Sequence, residues 1–348
     1  MRRVLPVGRP LLRTYLFYLY PFTILAQSDD HLAWLFGRCI QLLYYPGECL
    51  KMLVEPGSVS SQLGHAYRLS CPLLDIQTLA LETLASLEPD PVRACVRLIE
   101  GGTYVQLDVD YFHLRHTPDH GRRHFLHELL LYGVDTGRDS FTAAAYGPRG
   151  DPVAVEVPFA ELARAAAGTP APERGASPPD ESLWGRPRAI LYRYHPERRC
   201  ALDLVSVGEQ IADYLHGADS SGRYRLQGLA RPGGVWGTAV YGWLHDQLEE
   251  ACRAPAAICP LTWRVLYEHK VCMERRLGYL AATAVPAAGE LAGQYRAVIR
   301  CARALQVLLL RWSAAPAGTP AAARVAHAHL GQMAAVEARV LGRVLDAI

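Results

Sequence analysis

The sequence predicts an α+β protein with a mixed N-terminal part and a mostly helical C-terminal part. A chain of 348 residues is longer than one core usually organises, so two domains are expected. Strand-like stretches concentrate in the first half, whereas long helical patterns rich in Ala, Leu and Arg fill most of the second. Residues 169–184 are rich in Pro, Ser and charge. We therefore predict a domain at 1–168, a linker at 169–185 and a helical domain at 186–348.

The N-terminal residues raise the possibility of a signal peptide, because early arginines precede an apolar run. Arg9 and Arg13 fall inside that run, however, and Pro21 interrupts it. The run is also too short to span a bilayer, so we favour a buried strand and turn and no membrane association. Ser28 and the acids that follow predict a helix start, and the apolar spacing of residues 31–45 continues that helix.

The remaining elements follow from hydrophobic period and turn residues. The run HELLLYGVD, residues 127–135, predicts a central strand buried on both faces, and SFTAAAYG predicts its hairpin partner. Residues 103–110 alternate as a half-buried strand does. The other predicted elements are a helix at 71–87, a short helix before residue 101, a strand and helix within 151–168, a strand at 186–195, and helices at 235–252, 259–280, 288–312 and 321–348.

Composition excludes several classes of protein. The formal net charge is +2, and no basic stripe carries interleaved aromatic residues, so no nucleic-acid partner is expected. The cysteines are odd in number and form no C-x-x-C pair, which argues against a disulfide framework or a zinc knuckle. We expect most of them to be reduced and buried in a cytoplasmic protein. They are Cys39, Cys49, Cys71, Cys95, Cys200, Cys252, Cys259, Cys272 and Cys301.

Histidines cluster between the strand at 103–110 and the apolar run. Spacings of three and four could align them on one helix face as metal ligands, but Pro118 and Gly121 predict a loop. Leu131 stands where an H-E-x-x-H motif needs its second histidine. We therefore expect no metal and no cofactor, and a polar loop that lines a substrate entrance. The five histidines are His113, His116, His120, His124 and His127.

Two stretches carry a family resemblance. His127 precedes an apolar run that reaches Gly133 and Asp135, and VDYFHL at 109–114 comes before it. This order resembles the papain-type, C39-peptidase-like domain and, more closely, the butirosin biosynthesis protein H-like family of bacterial natural-product gene clusters. The resemblance covers about residues 20–160 and implies a papain-like domain followed by a helical region. It also implies acyl transfer from a carrier protein through a cysteine thioester, with His127 as the catalytic histidine.

The sequence departs from the papain pattern at the nucleophile. Papain-type enzymes place a cysteine at the N-terminus of a buried helix, where the helix dipole lowers its pKa. The helix predicted at Ser28 has no cysteine there, and Ser28 itself is more simply a helix cap. Cys39 is the nearby candidate nucleophile. It can serve only if a helix begins after Gly37 and places Arg38 and Cys39 at its N-terminus.

The second departure is the acid of the catalytic triad. The family carries it on the strand that returns after the hairpin, where this chain has Ala145 and Tyr146. We expect Asp110, Tyr111 and His124 to bind substrate beside His127. Two functions remain open. One is a cysteine-dependent acyl or peptidyl transferase acting on a carrier-protein thioester, and the other is a non-catalytic binding protein for a carrier protein or biosynthetic intermediate.

Overall fold

The computed structural model describes residues 1–52, 71–146, 152–167, 187–220, 233–253, 259–313 and 320–348. The chain divides into two compact units. The first unit comprises Met1–His31 and Ser60–Cys200, and the second unit comprises Leu32–Val59 and Ala201–Ile348. The predicted linker at 169–185 lies outside the described residues.

The described residues form ten strands and ten α-helices. The strands are β1 Arg2–Val4, β2 Leu42–Tyr44, β3 Lys51–Met52, β4 Leu74–Ala80, β5 Thr103–Asp110, β6 Leu126–Asp135, β7 Ser140–Tyr146, β8 Pro152–Pro158, β9 Arg188–Tyr194 and β10 Val235–Trp236. The helices are α1 Leu16–Leu25, α2 Leu32–Arg38, α3 Leu81–Leu87, α4 Pro91–Glu100, α5 Phe159–Ala167, α6 Leu204–His216, α7 Val240–Arg253, α8 Pro260–Thr283, α9 Ala288–Ser313 and α10 Pro320–Leu345. The α+β prediction is confirmed.

The first unit is built on a seven-stranded antiparallel sheet in the order β4-β9-β5-β6-β7-β8, with β1 paired to β6 beyond the end of β5. β6 is central, as its apolar run predicts, and β7 returns beside it through the predicted hairpin. β9 belongs to this sheet because it pairs with both β4 and β5. The unit therefore extends to Cys200, whereas the sequence placed the domain boundary at residue 168.

α1 corrects the prediction of a buried strand and turn at the N-terminus. β1 is a strand of three residues, but Leu16–Leu25 is helical and almost entirely buried. Among the helix's residues only Phe17 is not buried. The predicted helix over residues 31–45 is also wrong in extent, because α2 ends at Arg38 and β2 follows.

The prediction of one helix over residues 71–87 is half correct. Leu74–Ala80 is a strand that pairs with β9 along its whole length, and only Leu81–Leu87 is helical. Sheet pairing with a distant segment overrides the local helical spacing here. The helix before residue 101 is confirmed as α4, which begins at Pro91 and is capped by the Asp90 carboxylate.

β5 was predicted to be half-buried, but all eight of its residues are buried. Two of its polar side chains, those of Gln106 and Asp108, have partners inside the unit. The Tyr192 hydroxyl donates to Gln106 Oε1 at 2.7 Å, and the Arg188 Nε lies 3.3 Å from Asp108 Oδ2. Alternating polarity therefore marks internal hydrogen bonding here rather than a solvated face.

The second unit contains helices α2 and α6 to α10 and a three-stranded antiparallel sheet in the order β10-β2-β3. The three long C-terminal helices occur where the sequence predicts them. Cys49 and Cys259 form a disulfide within this unit, which is an exception to the expectation of reduced cysteines. No helix in the described part of the chain is both long and apolar enough to cross a membrane.

Candidate active site

The candidate site lies in the first unit, where β5 ends and β6 begins. Asp110 is the last residue of β5 and pairs with Leu126, the first residue of β6. The intervening chain folds back on itself, because the Tyr111 amide donates to the Phe125 carbonyl and the Gly121 amide to the Phe112 carbonyl. The loop confirms the prediction from Pro118 and Gly121, and it holds the expected site residues at one end of the sheet.

His127 carries a carboxylate partner. Its Nδ1 lies 2.7 Å from Oε2 of Glu128, and its side chain is 34% exposed. An imidazole that carries its proton on Nδ1 has a lone pair on Nε2, and that lone pair can accept a proton. The strand after the hairpin supplies no acid, as the sequence indicated. Glu128 instead provides the carboxylate from the position next to the histidine.

Aromatic side chains hold this pair in place. The rings of Tyr111 and Phe125 lie 5.2 and 5.1 Å from the His127 ring. The hydroxyls of Tyr111 and Tyr20, which lies on α1, both donate to the carbonyl oxygen of Glu128, at 2.7 and 2.9 Å. Burial raises the pKa of Tyr111, and the Glu128 carboxylate adds to that shift, so this hydroxyl stays protonated and acts as a donor.

Asp110 and His124 form a second imidazole–carboxylate pair. His124 Nδ1 lies 2.6 Å from Asp110 Oδ2, and the Asp110 side chain is fully buried whereas that of His124 is 56% exposed. The other oxygen, Oδ1, accepts from the amides of Phe112 and Phe125 at 3.0 Å each. Burial acts to raise the pKa of Asp110, but hydrogen bonds from His124, Phe112 and Phe125 outweigh it and hold the pKa below its ordinary value.

Cys39 is not placed to act as the expected nucleophile. It belongs to the second unit and follows Arg38, the last residue of α2, so it lies at the C-terminal end of a helix. The condition that a helix begins after Gly37 is therefore not met. The negative end of the helix dipole disfavours a thiolate, and the Cys39 side chain is 0% exposed.

The buried helix of the first unit has no cysteine at its N-terminus either. That helix is α1, and its capping residue is Tyr15. The thiols of the described part of this unit are those of Cys71, Cys95 and Cys200. Cys95 is fully buried, which raises its pKa to about 12. Cys71 and Cys200 contact each other near the start of β4, at the opposite end of the sheet from Asp110.

No protein-family model matches the chain, and neither does any curated protein. The chemistry of the site is therefore inferred from the arrangement of its own side chains.

A groove of about 520 Å³ also lies in the first unit, lined by Arg9, Arg13, Tyr132 and apolar neighbours. Tyr132 is on the same strand as His127 but five residues further, roughly 17 Å away along an extended chain. None of the residues that line the groove belongs to the two imidazole–carboxylate pairs. The groove is thus separate from the candidate site.

Sequence reasoning identified His127, Asp110, Tyr111 and His124, and the structure brings these four residues together at one end of the sheet. It missed Glu128 as the partner of His127. The sequence does contain a signal for this pair, because Glu128 follows His127 directly. The papain-type pattern instead places the acid of the triad on the strand after the hairpin.

Proposed function

We propose that the first unit transfers an acyl group from a carrier-protein thioester to an amine in bacterial natural-product biosynthesis, with His127 as general base and without an acyl-cysteine intermediate. The pairing of His127 Nδ1 with Glu128 Oε2 at 2.7 Å carries this proposal. The resemblance to butirosin biosynthesis protein H-like proteins suggests the substrate class and a papain-like arrangement of this unit.

The reaction needs one base and no protein nucleophile. The amine nitrogen attacks the thioester carbonyl while His127 Nε2 takes its proton, and collapse of the tetrahedral intermediate breaks the C–S bond. The imidazolium returns the proton to the leaving thiolate, so that an amide and a free thiol result. Glu128 stabilises the imidazolium that forms, and such base catalysis contributes about 10²- to 10⁴-fold.

Direct transfer is favoured over a covalent route because no suitable thiol is at hand. Cys39 is buried in the second unit, and the described thiols of the first unit lie away from His127 or are fully buried. The same observation favours the second candidate function, a binding protein that holds the carrier protein or its intermediate while a partner enzyme acts.

The full-length protein should be incubated with acyl N-acetylcysteamine thioesters and primary amines, with amide formation followed by mass spectrometry. We expect turnover by the wild type, a loss of about 10²- to 10⁴-fold in His127→Ala, and no change in Cys39→Ala. His195→Ala is the matched control. His195 also pairs with carboxylates, those of Asp75 and Glu197, but at the opposite end of the sheet.

Three results would contradict direct transfer. An acyl adduct on intact protein that disappears in Cys39→Ala would restore the covalent route. Binding of acyl-loaded carrier protein without turnover would establish the binding function. Neither binding nor turnover with any donor would exclude both.

A further inference from the structure

We propose that Asp110, His113 and His124 bind one divalent transition-metal ion, with zinc the best match to their chemistry. One ligand atom from each residue can be chosen so that all three lie within 4.8 Å of one another. This cluster combines residues at the end of β5 with a residue at the end of the following loop. This proposal differs from the expectation of no metal, which followed from the loop predicted at Pro118 and Gly121 and from the incomplete H-E-x-x-H motif.

The distances suit a single ion with little rearrangement. Asp110 Oδ2 lies 2.6 Å from His124 Nδ1 and 3.9 Å from His113 Nε2. Ligand atoms about 2.0 Å from a tetrahedral zinc ion lie roughly 3.3 Å from one another. The two observed distances fall on either side of that value, and the third separation is at most 4.8 Å, so small shifts of the three side chains would place their atoms around one ion.

His113 is not explained by hydrogen bonding to Asp110. Its Nε2 faces the same oxygen that His124 already contacts, at 3.9 Å, which is too long for a hydrogen bond. An ion between the three groups would give both imidazoles and the carboxylate a shared partner.

The carboxylate is already oriented as a metal ligand. Asp110 Oδ1 accepts from two backbone amides, those of Phe112 and Phe125, which leaves Oδ2 directed at the histidines. Its side chain is fully buried, so the orientation is fixed by the fold rather than by solvent. Hydrogen bonds of this kind to a ligating carboxylate orient it and tune affinity in known metal sites.

Phe112 holds both imidazole rings. It stacks on His124 with ring centroids 4.2 Å apart and an interplanar angle of 17°, and its ring meets that of His113 edge to face at 5.1 Å. The rings therefore have defined orientations before any ion binds. Fixed ligand geometry reduces the cost of ordering when the ion arrives.

The ligand set selects the type of metal. Two imidazoles and one carboxylate suit zinc or iron(II), whereas calcium and magnesium prefer oxygen ligands alone. Three protein ligands leave a coordination position for water or substrate, as in catalytic zinc sites. The 56% exposure of His124 gives solvent access to that position. A Lewis-acid role beside His127 would rest on the proposed acyl transfer, but binding of the ion does not.

The test uses the full-length protein freed of metal with EDTA. Cobalt(II) is added first, because tetrahedral cobalt with nitrogen and oxygen ligands absorbs visible light. Zinc(II) is then titrated in to displace the cobalt, and a separate competition with a chromophoric chelator measures the zinc affinity. We expect one ion per chain. His113→Gln and His124→Gln should each weaken zinc binding by about 100-fold or more and remove the cobalt bands.

His120→Gln is the matched control, because His120 is an exposed histidine of the same loop outside the cluster. This variant should bind zinc with the same affinity as the wild type. Asp110→Asn keeps an oxygen acceptor for the backbone amides while it removes the charge, so it should bind zinc weakly and still fold. Circular dichroism and the melting temperature of each variant establish that it folds.

Stoichiometric zinc binding that survives His113→Gln and His124→Gln, or no zinc binding to the wild type, would overturn the site. Tighter iron(II) than zinc(II) binding at the same residues would keep the site and reassign the metal. All these readouts are taken without substrate, so they stand apart from the acyl-transfer assays.

Discussion

Lys270 Nζ lies 2.9 Å from Glu337 Oε2 in the interior of the second unit, and both side chains are fully buried. The hydroxyls of Tyr214 and Tyr241 donate to the same carboxylate oxygen, at 2.8 and 2.6 Å, and that of Tyr295 donates to the other oxygen. Burial lowers the pKa of Lys270, and the Glu337 carboxylate opposes that shift. The pair joins α8 to α10 through a network in which each charge is compensated.

Removing one member of this pair should be far more damaging than removing a lysine whose ion pair is in contact with solvent. Lys270→Met leaves the Glu337 carboxylate without its cation, and we expect a loss of about 3–5 kcal/mol in the free energy of unfolding. Lys51→Met is the control. Lys51 pairs with Glu48 where both side chains are more than a fifth exposed, and its loss should cost less than about 1 kcal/mol.

Chemical denaturation of both variants measures the difference. Lys270→Met combined with Glu337→Gln should recover part of the loss, because the amide oxygen still accepts from the tyrosines but no unpaired charge remains. Equal stability of the two single variants would show that the buried pair contributes no more than the surface pair.

The disulfide provides a second stability prediction. Cys49 and Cys259 are separated by 210 residues, and closing so long a loop restricts the unfolded chain. Reduction, or the Cys49→Ser variant, should cost about 2–5 kcal/mol. Cys252→Ser is the control, because Cys252 is an exposed free cysteine of the same unit. Melting curves with and without dithiothreitol check this. A wild type that is purified from the cytoplasm with both thiols free and melts unchanged in dithiothreitol would contradict it.

Stability in acid should depend on a histidine pair of the second unit. His245 and His327 stack in parallel with Nδ1 atoms 2.7 Å apart. Burial lowers the pKa of His245, the neighbouring His327 lowers it further, and Asp246 and Glu249 oppose the shift. His327 also lies 3.0 Å from Glu249.

Because the pKa of His245 is lower in the folded state, the unfolded chain takes up its proton more readily. The stability that neutral His245 contributes is therefore present above the ordinary pKa of 6.5 and is lost as the pH falls below it. We expect the melting temperature to fall between pH 7.5 and 5.5, and to fall less in His245→Gln. Parallel pH profiles for the two proteins would refute the assignment.

The fold could be predicted where local pattern and tertiary environment agree. The apolar run of β6 predicts a buried central strand, and residues 129–134 are all buried. The 3.6-residue spacing of α8 to α10 is likewise a local property. Leu74–Ala80 could not be assigned in this way, since its state depends on pairing with β9, more than a hundred residues later. Asp108 likewise pairs with Arg188, 80 residues later, whereas the partners of Asp110 lie within 15 residues of it.

His127, Asp110, Tyr111 and His124 could be assigned to the site from the sequence, whereas the roles of Glu128 and His113 were missed. His127 was found because it stands beside a recognisable apolar run. The convergence of His113 and His124 on Asp110 arises from the folding back of the loop, which sequence spacing does not encode. The position of Cys39 depended on where α2 ends, and helix boundaries are the least certain part of such a prediction.

Glu128 gives the sharpest test of how His127 works. Glu128→Gln preserves size but removes the negative charge that lies 2.7 Å from Nδ1 and stabilises the imidazolium. We expect amide formation from thioester and amine to fall by about 10²- to 10⁴-fold, with little change in the melting temperature. Asp75→Asn removes the equivalent charge beside His195 and should leave the rate unchanged. A Glu128→Gln protein that retains full activity would show that His127 needs no carboxylate partner and would remove the observation on which the proposed function rests.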